Sequence, residues 1–514
     1  MILITSAAYV SPALVSEFGK LPPVMLPVQN RRLYSHQLAL FPPDEHVVMS
    51  LPADYEMEEG DRQFLHNANV EVVAVPPGLS LGQSVVYVLN MVSRYDEPLF
   101  LLHGDTLFDS LDFVPDACSV ADVEDDYAWA ETMAGSGEIY SGFFSFSSQQ
   151  RLIRCVTQCH YHFIEGVEQY GKESPLNRVK NKTWKDFGLV NTYYRSISKM
   201  TTERVFNSLI ATPNSLTKRS KDKKKMAAES NWLTSLPVEM KHYAPAIWDA
   251  GEDGEVGYYQ MEYCYLSSLA NLFVFAKNPT YVWKEILKAC NTYLCDEANF
   301  HPADLTLIAR QNKKLFAEKT VSRLEQYAQQ NGVDLHHEWV INGKTVPSLM
   351  EIFERTSAMI PTDGLDFVTL MHGDFCFSNI LYDFKSKAIK VIDPRGITSD
   401  GELCVYGDLR YDVAKLAHSV IGLYDFIIGG RFSYEETTPY KVQFRVFEND
   451  TVRNVQNLFK KMTFAGHTLE ELSALPMVIQ LFLSMLPLHH DNPLRQKALL
   501  ANALRIYLQL DNHE

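Results

Sequence analysis

No stretch of this chain matches GxxxxGK[ST], which excludes a P-loop cradle for phosphate. The eight cysteines include no CxxC pair and no metal-finger spacing, so they read as buried or incidental thiols of a reducing compartment. Positive charge is in deficit: 47 Lys+Arg stand against 63 Asp+Glu, a formal charge of -16. That balance argues against general nucleic-acid binding, which rests on neutralising phosphates. Long hydrophobic runs are missing too. The longest near the C-terminus, "PMVIQLFLSMLPL", falls short of the roughly 20 residues a membrane helix needs, so no membrane insertion is expected. "MILITSAAYVSP" has no Lys or Arg ahead of its apolar run and reads as a first core strand rather than a signal peptide. The expected location is cytoplasmic. No internal repeat and no extended low-complexity segment breaks the chain.

What remains is a globular composition, 46% apolar and 21% charged over 514 residues. At roughly 100–200 residues per domain this length predicts two to four domains. Residues 1–200 alternate strand-like runs ("MILITSAA", "EHVVMSLP", "VEVVAVP", "PLFLLHGD") with helical spacing in "RRLYSHQLALF" and "GQSVVYVLNMVSRY". Such alternation predicts a parallel sheet flanked by helices, with ligands beyond the carboxyl ends of its strands. "NSLTKRSKDKKKMAAESNW" (214–232) is a composition break, and its Lys run reads most simply as a solvated loop. A small sheet with one helix is expected up to residue 280. Helices then dominate to residue 514, interrupted by a hairpin at 370–396.

Chemistry is most legible in "LMHGDFCFSNILYDFKSKAIKVID". His372, Asp374 and Asn379 give H-x-D-x-x-x-x-N, and a predicted hairpin ends at Asp393. Phosphoryl transfer from a nucleotide requires a carboxylate that orients the attacking hydroxyl and oxygen ligands that hold Mg²⁺ against the phosphates. Asp374 suits the first task; Asn379 and Asp393 suit the second, because Mg²⁺ is a hard ion that favours oxygen. The other HGD, in "LFLLHGDTLFDS", has Ser110 where an Asn would complete the pattern.

"HGDFCFSNILYD…IKVIDPRG" resembles the aminoglycoside phosphotransferase and choline kinase family, relatives of the protein kinases. The resemblance implies a two-lobed kinase-like (α+β) domain, with a small lobe at 201–280 and a mostly helical large lobe at 281–514. It implies Asp374 and His372 as catalytic. Lys218 would be the strand lysine on the α/β-phosphates, with Lys225 as a competitor, and Glu229 its helix partner. Backbone groups of Glu262, Tyr263 and Cys264 would meet adenine. ATP and Mg²⁺ are the implied cofactors, a small molecule the partner. "YGDLRYDVAKLAHS" resembles the segment in which Asp412 caps a helix and braces the catalytic loop; Asp408 and Asp412 read as structural. In "PLHHDNPLRQ", Asp491 or Asn492 starts a helix, and His489 and His490 are candidates either for an acceptor pocket or for a helix–turn–helix corner.

"FGKLPPVMLPVQNRRLYSHQL" resembles the opening of sugar-nucleotide pyrophosphorylases and related nucleotidyltransferases, implying a Rossmann-like fold for residues 1–200. Two features depart from that pattern. "AAYVSPALVSEFG" replaces the glycine-rich loop, and Val24 stands where a lysine is expected, leaving Lys20 or Arg31 as substitutes. Gly82 and Ser84 would approach the base of a second nucleotide, CTP or UTP. Asp105 and Asp186 would hold metal, Asn191 would touch substrate, and "EIYSGFFSFS" would lie over the sugar site. Taken together the chain resembles bifunctional bacterial proteins of capsule and surface-polysaccharide biosynthesis, in which a kinase product feeds a nucleotidyl transfer. A kinase with a non-catalytic N-terminal module and a non-enzymatic nucleotide-binding interaction protein are the alternatives. Acceptor, base preference and oligomeric state are not legible.

Overall fold

Every residue of Ile2–Thr5 is buried, and its place in the sheet explains why. In the computed structural model this strand pairs in parallel with Val47–Pro52 on one side and Leu99–His103 on the other. A strand covered on both faces reads as a continuous apolar run. The structure describes residues 1–125, 127–200, 207–305, 318–362 and 365–511. They form two compact units: Met1–Met200 with Phe275–Asn278, and Thr201–Val274 with Pro279–Glu514.

The first unit is built on a seven-stranded sheet. Its order is Asn177–Lys180, Ala117–Asp122, Glu138–Phe146, Leu99–His103, Ile2–Thr5, Val47–Pro52 and Val70–Val75. All neighbours are parallel except Glu138–Phe146, which runs against both of its partners. The chain leaves Ile2–Thr5 toward one edge and returns to its other side at Leu99–His103. That reversal creates a crevice at the carboxyl ends of these two strands. The helix Leu81–Val92 begins with a capping box between Ser80 and Gln83. The segment Phe275–Asn278, which falls within the expected 201–280 lobe, is held in the first unit by the buried Arg32, whose Nη1 donates to the Phe275 carbonyl, and by Asn278, which donates to the Glu17 carbonyl.

The second unit begins with a four-stranded antiparallel sheet ordered Asn207–Ala211, Ser215–Ser220, Val256–Glu262, Ile247–Asp253. The solvated-loop reading of the Lys run fails here. Ser215–Ser220 is an inner strand, and the lysines that follow open the helix Lys223–Ser235, where the Asp222 carboxylate accepts from the Lys225 amide. A capped first turn turns a charge run into a helix start. Beyond residue 280 helices dominate, including Thr280–Glu297, Lys319–Asn331, Leu409–Val420, Ala474–Met485 and Pro493–Asp511. The hairpin Ile380–Asp383/Ala388–Val391 interrupts them as expected. A sheet of Lys344–Val346, Trp339–Ile341, Lys441–Val446 and Phe432–Thr438 was not anticipated. "DVAKLAHSVIGLYDFI" is also two helices rather than one. Leu423 adopts φ 56°, and a Cβ on Gly422 would lie 2.3 Å from the His418 carbonyl. All eight cysteines are free thiols. Among the described residues no helix is long and apolar enough to cross a membrane.

Candidate functional site

Lys218 lies on the inner strand opposite Tyr259, and its side chain is almost fully buried. Its Nζ donates to Glu229 Oε2 at 2.6 Å and to Asp393 Oδ1 at 3.0 Å. Tyr259 adds a phenol that donates to the same Glu229 oxygen at 2.8 Å. Lys225, the competitor, stays exposed and reaches only 3.8 Å from the other Glu229 oxygen. Burial works against the Lys218 ammonium, but Asp393 and Glu229 outweigh it and hold its pKa above the lysine range. A buried pair of this kind is costly to break by removing one partner.

Two glycines fix the loop that carries Asp393. Gly396 has φ 61°, and a Cβ there would lie 2.1 Å from the Ala228 carbonyl, so its bareness lets the loop reach the Glu229 helix. Gly373 has φ 80°, and a Cβ would meet Arg395 Cβ at 2.6 Å. Asp393 is itself left-handed, φ 56°, a strained conformation that is often concentrated at functional sites.

The loop 372–379 is anchored by Asp412. The Asp412 carboxylate accepts from the amides of His372 (2.7 Å), Gly373 (2.9 Å) and Phe375 (3.4 Å), which is the bracing role expected of it. Trp232 Nε1 donates to the Met371 carbonyl at 2.8 Å. Asn379 Nδ2 donates to Asp374 Oδ2 and to the Asp374 carbonyl, 3.0 Å each, while its own carbonyl accepts from Ile392. Asn379 therefore ties Asp374 to the strand leading into Asp393.

His372 departs from its expected catalytic role. It is fully buried; Nε2 donates to the Ile392 carbonyl at 3.0 Å and Nδ1 accepts from the Asp374 amide at 3.2 Å. With both nitrogens occupied by backbone, the ring has no site left for a substrate proton, and burial lowers its pKa to about 4. It positions Asp374.

Asp374 has a partner that sequence reasoning missed: Lys415 Nζ is 2.7 Å from Oδ1. Burial alone would raise Asp374, but Lys415 and then Arg395 hold it well below the usual carboxylate range. The signal was available, since Lys415 lies three residues past Asp412 in the segment already singled out. At the expected hinge, the Glu262 amide donates to the Ala246 carbonyl and the Tyr263 amide to the Asn214 carbonyl. The Cys264 amide donates to no described residue. His489 sits near the Tyr424 ring, with centroids 6.1 Å apart, and His490 rests on the Pro487 carbonyl.

In the first unit, Asp105 follows Leu99–His103 at the crevice, and Asp186 ends a two-residue strand paired with Thr106–Leu107. A Cβ on Gly188 would lie 3.0 Å from Asp105 Oδ2 and 3.4 Å from Asp186 Oδ1, so both carboxylates face one point. Asp186 Oδ1 accepts from Trp129 Nε1 at 2.7 Å and from the Gly188 amide at 3.3 Å, whereas the buried Oδ2 has no hydrogen-bond partner among the described residues. Burial first, then Asp186, raises Asp105 to about 7. An orphaned carboxylate oxygen beside a second carboxylate fits a hard cation that keeps several waters.

Gly82 packs so closely that a Cβ would meet the Tyr161 carbonyl at 2.3 Å, and Ser84 is buried in the same helix. Asn191 lies exposed in the first turn of the helix Val190–Lys199. Val24 is buried, Lys20 pairs with Asp54 and Arg31 is exposed.

No protein-family model matches the sequence, and no curated protein sequence matches it. Solved structures that overlay on the chain include an aminoglycoside-3'-phosphotransferase of type VIII, at 13% identity and TM-score 0.32 over 54% of this chain and 90% of that one. A thermostable mutant of aminoglycoside phosphotransferase APH(4)-Ia overlays at 13% identity and TM-score 0.37, covering 60% and 94%. Another mutant of that enzyme, in a ternary complex with AMP-PNP and hygromycin B, overlays at 13% identity and TM-score 0.34, covering 59% and 92%. Likeness at this level assigns neither family nor activity.

Proposed function

We propose that the second unit transfers the γ-phosphoryl group of ATP to a hydroxyl of a small molecule. The observation that carries this reading is the bond from Lys218 to both Glu229 and Asp393. It joins a strand lysine, a helix glutamate and a hairpin-end aspartate in the combination that phosphoryl transfer from a nucleotide uses. In this reading Lys218 contacts the phosphates and Glu229 keeps it in place. Asp393 and the Asn379 amide oxygen supply hard donors for Mg²⁺, which would neutralise charge on the phosphates. Asp374 orients the attacking hydroxyl. Its depressed pKa makes it a weak base, suited to a loose transition state in which positioning outweighs early proton removal. The Cys264 amide is the hinge donor left for adenine.

ADP release with Mg-ATP and a panel of small alcohols, amino alcohols and sugars tests the reading. Asp374→Ala is expected to abolish acceptor-dependent release; an undiminished rate overturns the assignment.

A second reading concerns the first unit. The facing Asp105 and Asp186, with one oxygen orphaned, support a divalent-cation site at the crevice, as nucleotidyl transfer from CTP or UTP would need. Coupling of the kinase product to that nucleotide, and a place in capsule or surface-polysaccharide synthesis, extend this reading through the sequence resemblance alone. Pyrophosphate release from a nucleoside triphosphate and a phosphoester tests it. Its absence leaves the first unit as a binding or assembly module.

A further inference from the structure

Four cations, Lys319, Arg323, Arg395 and Lys415, gather around Tyr411. The helix Lys319–Asn331 presents Lys319 and Arg323 four residues apart, hence on one face. The helix Leu409–Val420 presents Tyr411 and Lys415 at the same spacing. Arg395 joins them: its Nη2 donates to the Tyr411 hydroxyl at 2.7 Å, and its guanidinium lies 4.5 Å from the Tyr411 ring centre. Arg323 Nη1 donates to the Ser484 carbonyl at 3.0 Å. Lys319, Tyr411 and Ser484 line a pocket together with Thr320, Gln480 and Leu481.

The charges do not cancel. Among the described residues Asp374 is the only carboxylate that ion-pairs with any of the four, through Lys415. Asp412, the next carboxylate felt by Arg395, is committed to three loop amides. Like charges at i,i+4 destabilise a helix, and, against Tyr411, burial together with Arg395, Arg323 and Lys415 brings Lys319 down to about 8. Tyr411 registers the field: burial would raise its phenol, yet Arg395, Lys415 and Lys319 bring it down to about 8.

We infer that the acceptor is an anionic hydroxy compound, its phosphate or carboxylate received by Lys319, Arg323 and Arg395 while its hydroxyl is presented to Asp374. This rests on the kinase reading of the same site. Arg395 and Arg323 supply planar donor forks matched to such groups, and Lys319 a point charge. In the transfer, the acceptor oxygen bonds to the γ-phosphorus of ATP as the β–γ bridge bond breaks. ADP leaves, and the hydroxyl proton is released.

The test uses the full chain and Mg-ATP. Mg-ATP binding is measured first by calorimetry. ADP release is then compared for glucose, glucosamine, glucose 6-phosphate and gluconate, a matched neutral, cationic, phosphorylated and carboxylated set. Preference of at least tenfold in kcat/KM for the phosphate or the carboxylate member supports the inference and says which anion is read. Lys319→Gln and Arg323→Gln should each raise KM for that member about tenfold with little change in kcat, and Lys319→Arg should restore it. Mg-ATP binding combined with preference for glucose or glucosamine, with turnover of no member, or with an unmoved KM in both glutamine variants overturns the inference and leaves the kinase reading standing. Failure to bind Mg-ATP overturns both.

Discussion

Lys218 Nζ lies 3.0 Å from Asp393 Oδ1 although 175 residues separate them in the chain. The contact closes a circuit from the four-stranded sheet through Glu229 to the end of the hairpin. Asn379 continues it to Asp374, so five positions identified as chemistry-bearing in the sequence converge on one neighbourhood of the second unit.

Breaking that circuit at Lys218 should cost both stability and nucleotide binding. Lys218→Met leaves Glu229 buried beside Asp393, with only the more distant Lys225 to offset it. A loss of about 3 kcal/mol in urea unfolding is expected. Adding Glu229→Gln should recover most of that loss without recovering ATP affinity. A double variant no more stable than the single one would contradict the buried-charge account.

Asp412 and Glu297 are both buried, and they should behave oppositely on neutralisation. Asp412 serves three amides, which oppose the burial that raises its pKa to about 7. Burial, then Asp412, pushes Glu297 well above the usual carboxylate range, with Oε1 accepting from the Tyr293 hydroxyl. Asp412→Asn is expected to cost about 2–4 kcal/mol and to lower kcat, while Glu297→Gln should leave the melting temperature nearly unchanged. Equal losses would contradict this division.

His372 should make the second unit acid-labile. Its folded pKa of about 4 lies below the 6.5 of an unfolded histidine. Between those values the unfolded chain binds the proton that the folded one refuses, so stability falls as pH falls. The loss from this ring is on the order of 3 kcal/mol between pH 6.5 and 4, and His418 and His489 shift in the same direction. Urea midpoints at pH 7 and pH 5 measure it. His372→Asn should shallow the slope, and an unchanged slope would mean that the ring takes up a proton when folded.

In the first unit, Asp105→Asn removes one of two facing buried carboxylates. Relief of like-charge repulsion should raise the metal-free melting temperature, while the gain in melting temperature on adding Mn²⁺ disappears. A metal response that survives both Asp105→Asn and Asp186→Asn would remove the cation site.

The candidate site's loop was legible because its spacing is local: His372, Asp374, Asn379 and the hairpin to Asp393 lie within 22 residues, and backbone geometry fixes them together. The sequence hid the role of His372, because a buried ring and a proton-transferring ring look alike until both nitrogens are seen bonded to backbone. The Lys run misled because its mean charge masks the short strand before it and the Asp222 cap within it. The sheet containing Trp339–Ile341 and Lys344–Val346 escaped because strands of three residues leave too little alternation to register. Arg395 and Lys319 could not be grouped with Tyr411 and Lys415 in advance, since only the packing of separate elements brings them together.

The most direct measurement is Mn²⁺-dependent binding of AMP-PNP by calorimetry, in the Asp105→Asn background that silences the first unit's candidate pair. Affinity should fall at least tenfold in both Lys218→Ala and Asp393→Asn. Affinity retained in either variant, with the fold intact by circular dichroism, would contradict their convergence on a single metal–nucleotide site.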